Sequence, residues 1–176
     1  MIGDKGSEKT VTVDGVDMQV RHPTRNWKGW ISHKFKKAAV RYEVAIGITS
    51  GYIVWVNGPF PAGRYADLTI FRTGLKELLW SCSERAEADR GYRGEPNTIS
   101  LPDEGIRTWR DKWQKAIARS RHETANRRFK NWNCLSNIFR HDIRKHSMVF
   151  RSILVLTQVQ IQYGGKPLFK IQHNLE

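Results

Sequence analysis

Asp14, Asp89 and Glu123 are the side chains of this chain best suited by type and spacing to chemistry on a charged substrate. Asp14 precedes Gly15 in an early run of strand-like character. Asp89 ends the stretch Glu84-Arg85-Ala86-Glu87-Ala88-Asp89 and is followed by Arg90-Gly91, where a glycine lets the backbone turn. Glu123 lies 34 positions further on, in a helical run. Carboxylates from three separate elements offer the hard oxygen ligands that a divalent cation prefers. Each residue alone also has an ordinary explanation. Asp89-Arg90-Gly91 is a common turn sequence, Asp14-Gly15 fits a strand with a glycine defect, and Glu123 has Arg119 and Arg127 four residues to either side, as on a solvated ion-pair face. Asp17 is a rival to Asp14, and Asp67, at the start of a helical stretch, reads as an N-cap.

The elements that must position these groups follow from periodicity. Val11 and Val13, then Val16, Met18 and Val20, alternate with period two, and the phase slips at Asp14-Gly15 as it would at a β-bulge. Tyr42 to Ile48 and Tyr52 to Val56 form a hairpin around Ser50-Gly51, and Asn57-Gly58-Pro59-Phe60-Pro61 stops the sheet. Leu68, Phe71, Leu75, Leu78 and Leu79 predict one helix, and a short strand ending at Asp89 follows. After a loop at 94–97, Ile106, Trp109, Trp113 and Ile117 form a stripe that would seat a helix on the sheet. Trp132, Leu135, Ile138 and Phe139 supply buried side chains beyond it. Ile153, Leu154, Leu156, Val159 and Ile161 close the core with a last helix, ended by Gly164-Gly165.

A length of 176 residues suits one domain with a sizeable core. A net charge of +13 makes a polyanion the default partner. That charge is concentrated: Arg107 to Arg151 holds thirteen Lys and Arg against Asp111, Glu123 and Asp142, a net of +10. From Arg25 to Arg41, cations alternate with Trp27, Trp30 and Phe35; such a loop either tracks phosphates and stacks bases or anchors its rings on the core. Lys34, Lys36 and Lys37 here, with Arg119, Arg127, Arg128 and Lys130 later, are the DNA-binding candidates. Cys82 and Cys134 form no disulfide framework, which suits a reducing compartment. The first ten residues lack the apolar stretch of a secretion signal, and the run from Met148 to Ile161 is too short and too polar to span a membrane.

Several pieces in order resemble the DDE-type transposases of the PIF/Harbinger group, also described as DDE superfamily endonucleases. They are Asp14-Gly15, Val54-Trp55-Val56-Asn57-Gly58-Pro59-Phe60-Pro61, Asp67, Ala88-Asp89-Arg90-Gly91-Tyr92-Arg93-Gly94, and Arg121-His122-Glu123-Thr124-Ala125-Asn126-Arg127-Arg128-Phe129-Lys130-Asn131-Trp132. The likeness runs from about Val11 to Phe169. It implies an α/β chain of RNase H-like fold, a mixed five-stranded sheet flanked by helices, over residues 11–169 behind a disordered lead at 1–10.

The resemblance also implies a metal-dependent endonuclease or strand-transfer domain acting on DNA, with Asp14, Asp89 and Glu123 catalytic and Asp67 joining them around Mg²⁺ or Mn²⁺. Where the family has a histidine before the acidic residue corresponding to Asp67, this chain has Ala66. The family's N-terminal helix-turn-helix region has no counterpart before Asp14, so a separate DNA-recognition protein, and a homo-oligomer, are expected partners to test. A nuclear location, after synthesis in the cytoplasm, follows from the family and the charge. The alternative is a domesticated or truncated remnant that binds nucleic acid or a partner without catalysis.

Overall fold

A computed structural model of the chain describes residues 9–23, 27–105, 108–165 and 168, without the side chains of Trp27, Asp111 and Gln114. The expected lead at 1–10 is therefore described only in Lys9 and Thr10, and Arg25, Ile106, Arg107 and Phe169 lie outside the described residues.

Five strands, β1 (Lys9–Gln19), β2 (Ala39–Gly47), β3 (Ile53–Pro61), β4 (Arg85–Glu87) and β5 (Ile99–Ser100), form one sheet in the order β3-β2-β1-β4-β5. β2 runs antiparallel to both β1 and β3, while β4 joins β1 and β5 joins β4 in parallel. The sheet is mixed and β1 is central. Helices α1 (Asp67–Arg72), α2 (Leu75–Cys82), α3 (Trp109–Lys130), α4 (Asn133–Ser136) and α5 (His146–Gln162) complete an α/β chain whose strand order is consistent with an RNase H-like arrangement.

The apolar pattern of β1 has a different cause from the expected bulge. Its pairing with β2 runs without a break from Val11 opposite Gly47 to Gln19 opposite Ala39. Strict alternation then sends Val11 and Val13 to one face of the sheet and Val16, Met18 and Val20 to the other. Val11 and Val13 meet Phe71, Leu75 and Leu79 from α1 and α2. Val16, Met18 and Val20 pack with Ala125 and Phe129 of α3 and Phe150 and Ile153 of α5. The phase slip marks the point where the strand's apolar residues change sides, because helices cover both faces.

Three other expectations give way. β3 continues through Pro59 to Pro61: it is an edge strand, so a missing N–H forfeits no ladder bond, and Gly58 (φ 127°) takes up a register shift against Arg41 and Glu43. The predicted single helix is two, parted at Thr73-Gly74, where a Cβ on Gly74 would stand 2.9 Å from the Trp55 ring. α3 does not seat its tryptophans on the sheet. Trp109 is 77% exposed and Trp113 52%, whereas Ala118, Arg121, His122, Ala125 and Phe129 are buried. Their small alanines let the helix approach the sheet closely, and Trp113 lies about 140° around the helix from Ala118.

α5 likewise buries Phe150, Ile153, Thr157 and Ile161 and leaves Leu156 and Val159 half exposed. Among the described residues, no helix is long and apolar enough to cross a membrane.

Candidate functional site

Alternation along β1 fixes the direction of Asp14. It shares a face with Thr12 and Val16, the face covered by α3. Beyond β4 the same parity points Glu87 and Asp89 that way, while Ala86 and Ala88 face α2. Asp14, Glu87, Asp89 and Glu123 accordingly line one pocket of about 200 Å³, together with Lys115, Arg119 and His122. The three sequence-predicted carboxylates thus come from a central strand, a strand end and a helix to a common cleft.

Asp14 accepts a hydrogen bond from the Gly15 amide at 2.8 Å, and Asp89 Oδ1 accepts one from Gly91 at 2.8 Å, opening a short 3-10 turn. Burial pushes the Asp14 carboxyl up from the ordinary aspartate range; Lys34 pulls it back, and the neighbouring Asp89 pushes it further up. Lys34 itself is tied to the site, its Nζ donating to the Gly15 carbonyl at 3.1 Å. Glu123 is exposed at the pocket rim, and among the described residues no ion pair holds it.

His122 turns the other way from Glu123, into the sheet, where its Nε2 meets Thr12 Oγ1 at 2.8 Å. Burial lowers its pKa to about 4, so at neutral pH the ring is uncharged and pins α3 to β1. Lys115 reaches in beside it and donates to the carbonyls of Leu101, at 2.7 Å, and Glu104.

Asp67 stands across β1 from this cleft. It occupies the first turn of α1, Ala66 is the N-cap, and no side chain caps the helix, so the capping role expected of Asp67 is not taken up. Its carboxylate faces Arg41 Nη1 at 3.2 Å. A Cβ on Gly15 would fall 2.2 Å from Asp67 Oδ1, and one on Gly91 would fall 2.9 Å from Asp89 Oδ1 and 3.4 Å from Asp67 Oδ2. Gly91 is therefore needed for its size; it is not among the residues of positive φ, and the sharp turn expected of it is an ordinary 3-10 turn. Burial raises the Asp67 pKa, Arg41 opposes this, and the charges of Asp14 and Asp89 add to the rise.

Asp17, the rival to Asp14, lies on the opposite face of β1. It is buried on the Arg41 side, with Arg41 Nε at 2.7 Å from Oδ1, Arg41 Nη2 at 3.0 Å from Oδ2, and the Ser32 hydroxyl donating to Oδ2 at 2.5 Å. Glu43, opposite Gly15, is buried on that same side.

The basic residues surround rather than fill the cleft. Lys34, Lys36 and Lys37 are exposed in the loop after β1, and the Lys130 ammonium lies over the Phe35 ring at 5.3 Å. Arg119 and Arg127 are exposed on α3; Arg128 is half-buried. Trp30 packs on the core, as an anchoring ring would, while the Trp27 side chain lies outside the described residues.

Sequence reasoning passed over Glu87, Lys115 and His122. Glu87 was accessible to it, standing two residues before Asp89 in a strand.

Among the described residues, no group of three or more His, Cys, Asp or Glu is arranged to hold a metal ion by itself. The donor chemistry nevertheless suits a hard cation: Asp14 and Asp89 bring oxygen ligands whose mutual repulsion a cation would relieve. Compared with family models, curated proteins and solved structures, the chain matches none.

Proposed function

We propose that the chain is a metal-dependent DNA endonuclease or strand-transfer domain of the DDE transposase type. The observation that carries this reading is the shared cleft of Asp14, Asp89 and Glu123 on the α3 face of a β3-β2-β1-β4-β5 sheet. A divalent ion such as Mg²⁺ or Mn²⁺, when bound, supplies Lewis-acid stabilisation of a phosphodiester undergoing in-line attack by water or a 3′-hydroxyl. Asp14 and Asp89 would hold it from the sheet and Glu123 from the helix. Mg²⁺ commonly binds through one or two carboxylates completed by water and substrate phosphate, so such a site need not be closed before DNA arrives.

The chain's own residues have separable tasks. The His122–Thr12 contact fixes the height of α3 over β1 and with it the reach of Glu123. Lys34 moderates the charge at Asp14. Exposed Arg119, Arg127 and Lys130 would hold phosphates along α3, with Lys36 and Lys37 contributing from the loop. Asp67, across the strand, acts on the cleft through its charge. On this reading DNA is the partner and the nucleus the place of action.

Thermal unfolding with and without Mn²⁺ or Mg²⁺, for the wild type and Asp89→Asn, tests the proposal without knowledge of the DNA target. An ion at 100 times its dissociation constant should add about 2.7 kcal/mol to the wild type. The gain should vanish in the variant, and Mn²⁺-dependent nicking of DNA should vanish with it. No gain in the wild type, alone or with duplex DNA, would refute the metal site. The exposed cations of α3 and of the loop after β1 favour one second reading, a binding module without catalysis; DNA binding that ignores divalent ions, without any nicking, would establish it.

A further inference from the structure

The first turns of α3 carry two tryptophans that the core does not use. Trp109 and Trp113 are 77% and 52% exposed, with ring centroids 6.4 Å apart and planes within 18° of parallel. Two large rings held side by side in water form a flat apolar surface open to a ligand. Around them the surface is cationic. From Trp109 to Lys130 the helix holds eight Lys and Arg against Asp111 and Glu123, and Arg110, Lys112 and Arg119 are exposed near the rings.

Helical geometry relates this platform to the cleft. At about 100° per residue, Trp109, Trp113, Glu123 and Arg127 fall within about 80° of one another around α3, with Glu123 at the rim of the cleft. Glu123 is ten residues from Trp113 and fourteen from Trp109, or about 15–21 Å along the helix. Arg119, on the pocket lining, stands between them.

We infer that Trp109 and Trp113 form a stacking platform for the bases of a single-stranded DNA segment that leads from the cleft. This rests on the reading that DNA is the substrate. In a duplex the base faces are covered by their neighbours, so only unpaired nucleotides can lie on such rings. Stacked nucleotides at about 3.4 Å each would span the interval with about four to six residues. The polyanion also fits the charge: a second copy of this chain would bring another +13 to an already cationic face. The exposed cations would follow the backbone while the two rings take the bases.

Binding of a labelled 12-nucleotide dT oligomer, followed by fluorescence anisotropy in EDTA, tests the inference. The comparisons are with an abasic oligomer of equal length, Trp109→Ala/Trp113→Ala, and Trp109→Phe/Trp113→Phe. We expect the alanine pair to weaken dT binding about 10–100-fold, to change abasic binding less than about threefold, and to leave the salt dependence unaltered because the phosphate contacts remain. The phenylalanine pair should restore most of the affinity. Both variants should unfold cooperatively at the wild-type temperature, since neither ring is in the core.

Equal wild-type binding of dT and abasic oligomers would overturn the inference, as would unchanged dT affinity in the alanine pair. Loss of self-association in that variant, with DNA affinity retained, would overturn it in favour of a second copy. Because metal is absent from the assay, failure of metal-dependent nicking leaves this result standing, and loss of the platform leaves the nuclease reading standing.

Discussion

Replacing Glu43 by glutamine tests the electrostatics beneath the cleft. Glu43 is 1% exposed; Trp55 Nε1 donates to its Oε2 at 3.0 Å, and Oε1 is buried without a partner. Burial pushes its pKa up from 4.5 to about 7; the Trp55 bond opposes the rise, and the charge of Asp67 adds to it. The folded state thus holds a proton that the unfolded chain gives up sooner. The stabilisation is fully present below about pH 4.5 and is lost as pH rises through about 7. A rise of that size corresponds to about 3 kcal/mol in all, most of which falls between pH 5 and pH 8. Glutamine is neutral, similar in size, and keeps an acceptor for Trp55.

The variant should therefore gain about 2–3 kcal/mol on the wild type between pH 5 and pH 8, or about 5–10 °C in melting temperature for a chain of this size. Urea unfolding across that range measures it, and comparing the two proteins cancels every carboxylate they share. Stability curves that run parallel within about 0.5 kcal/mol would show that Glu43 is not the buried acid described here. Asp67→Asn should narrow the gap, since it removes one of the charges that raises Glu43.

Two further substitutions separate packing from function. Gly15→Ala places a methyl group against Asp67 and should cost about 1–3 kcal/mol; adding Asp67→Ala should recover at least half of that in urea unfolding, and strict additivity would refute the contact. Glu123→Gln alters an exposed group and should change stability by less than about 0.5 kcal/mol, while abolishing Mn²⁺-dependent nicking in a plasmid assay.

Much of the sheet was legible because its signals are local. The β2–β3 hairpin follows from alternation around Ser50-Gly51, and β1 from five alternating apolar positions. The bulge was misread because a phase slip has two causes: an inserted residue, or a change in which face needs apolar side chains. Only the positions of the helices distinguish them. β5 is two residues long, too short for periodicity to register, and came only with the family resemblance. The seating of α3 failed for a related reason. Tryptophan is the most conspicuous apolar residue on that helix, but close contact with the sheet is made through Ala118 and Ala125, which hydrophobicity alone ranks lower.

The cleft was legible where direction follows from chain parity and illegible where it depends on packing. Asp14, Glu87 and Asp89 alternate with apolar neighbours that face α2, so their common direction is contained in the strands. Asp67 has no such constraint, since its side of the sheet is set by how α1 docks. Gly15 decides the matter: its Cα points toward the Arg41 side, where a Cβ would occupy the place of the Asp67 carboxylate. Asp67 therefore reaches Asp14 only across the backbone of β1, close enough to feel its charge. Asp14, Asp89 and Glu123 then line the cleft while Asp67 and Glu43 lie on the Arg41 side of β1; burial raises the carboxyls of both Asp14 and Asp67, and Lys34 and Arg41 oppose that rise at both. A cation entering the cleft would add to the relief that Lys34 and Arg41 already give the Asp14–Asp89 repulsion.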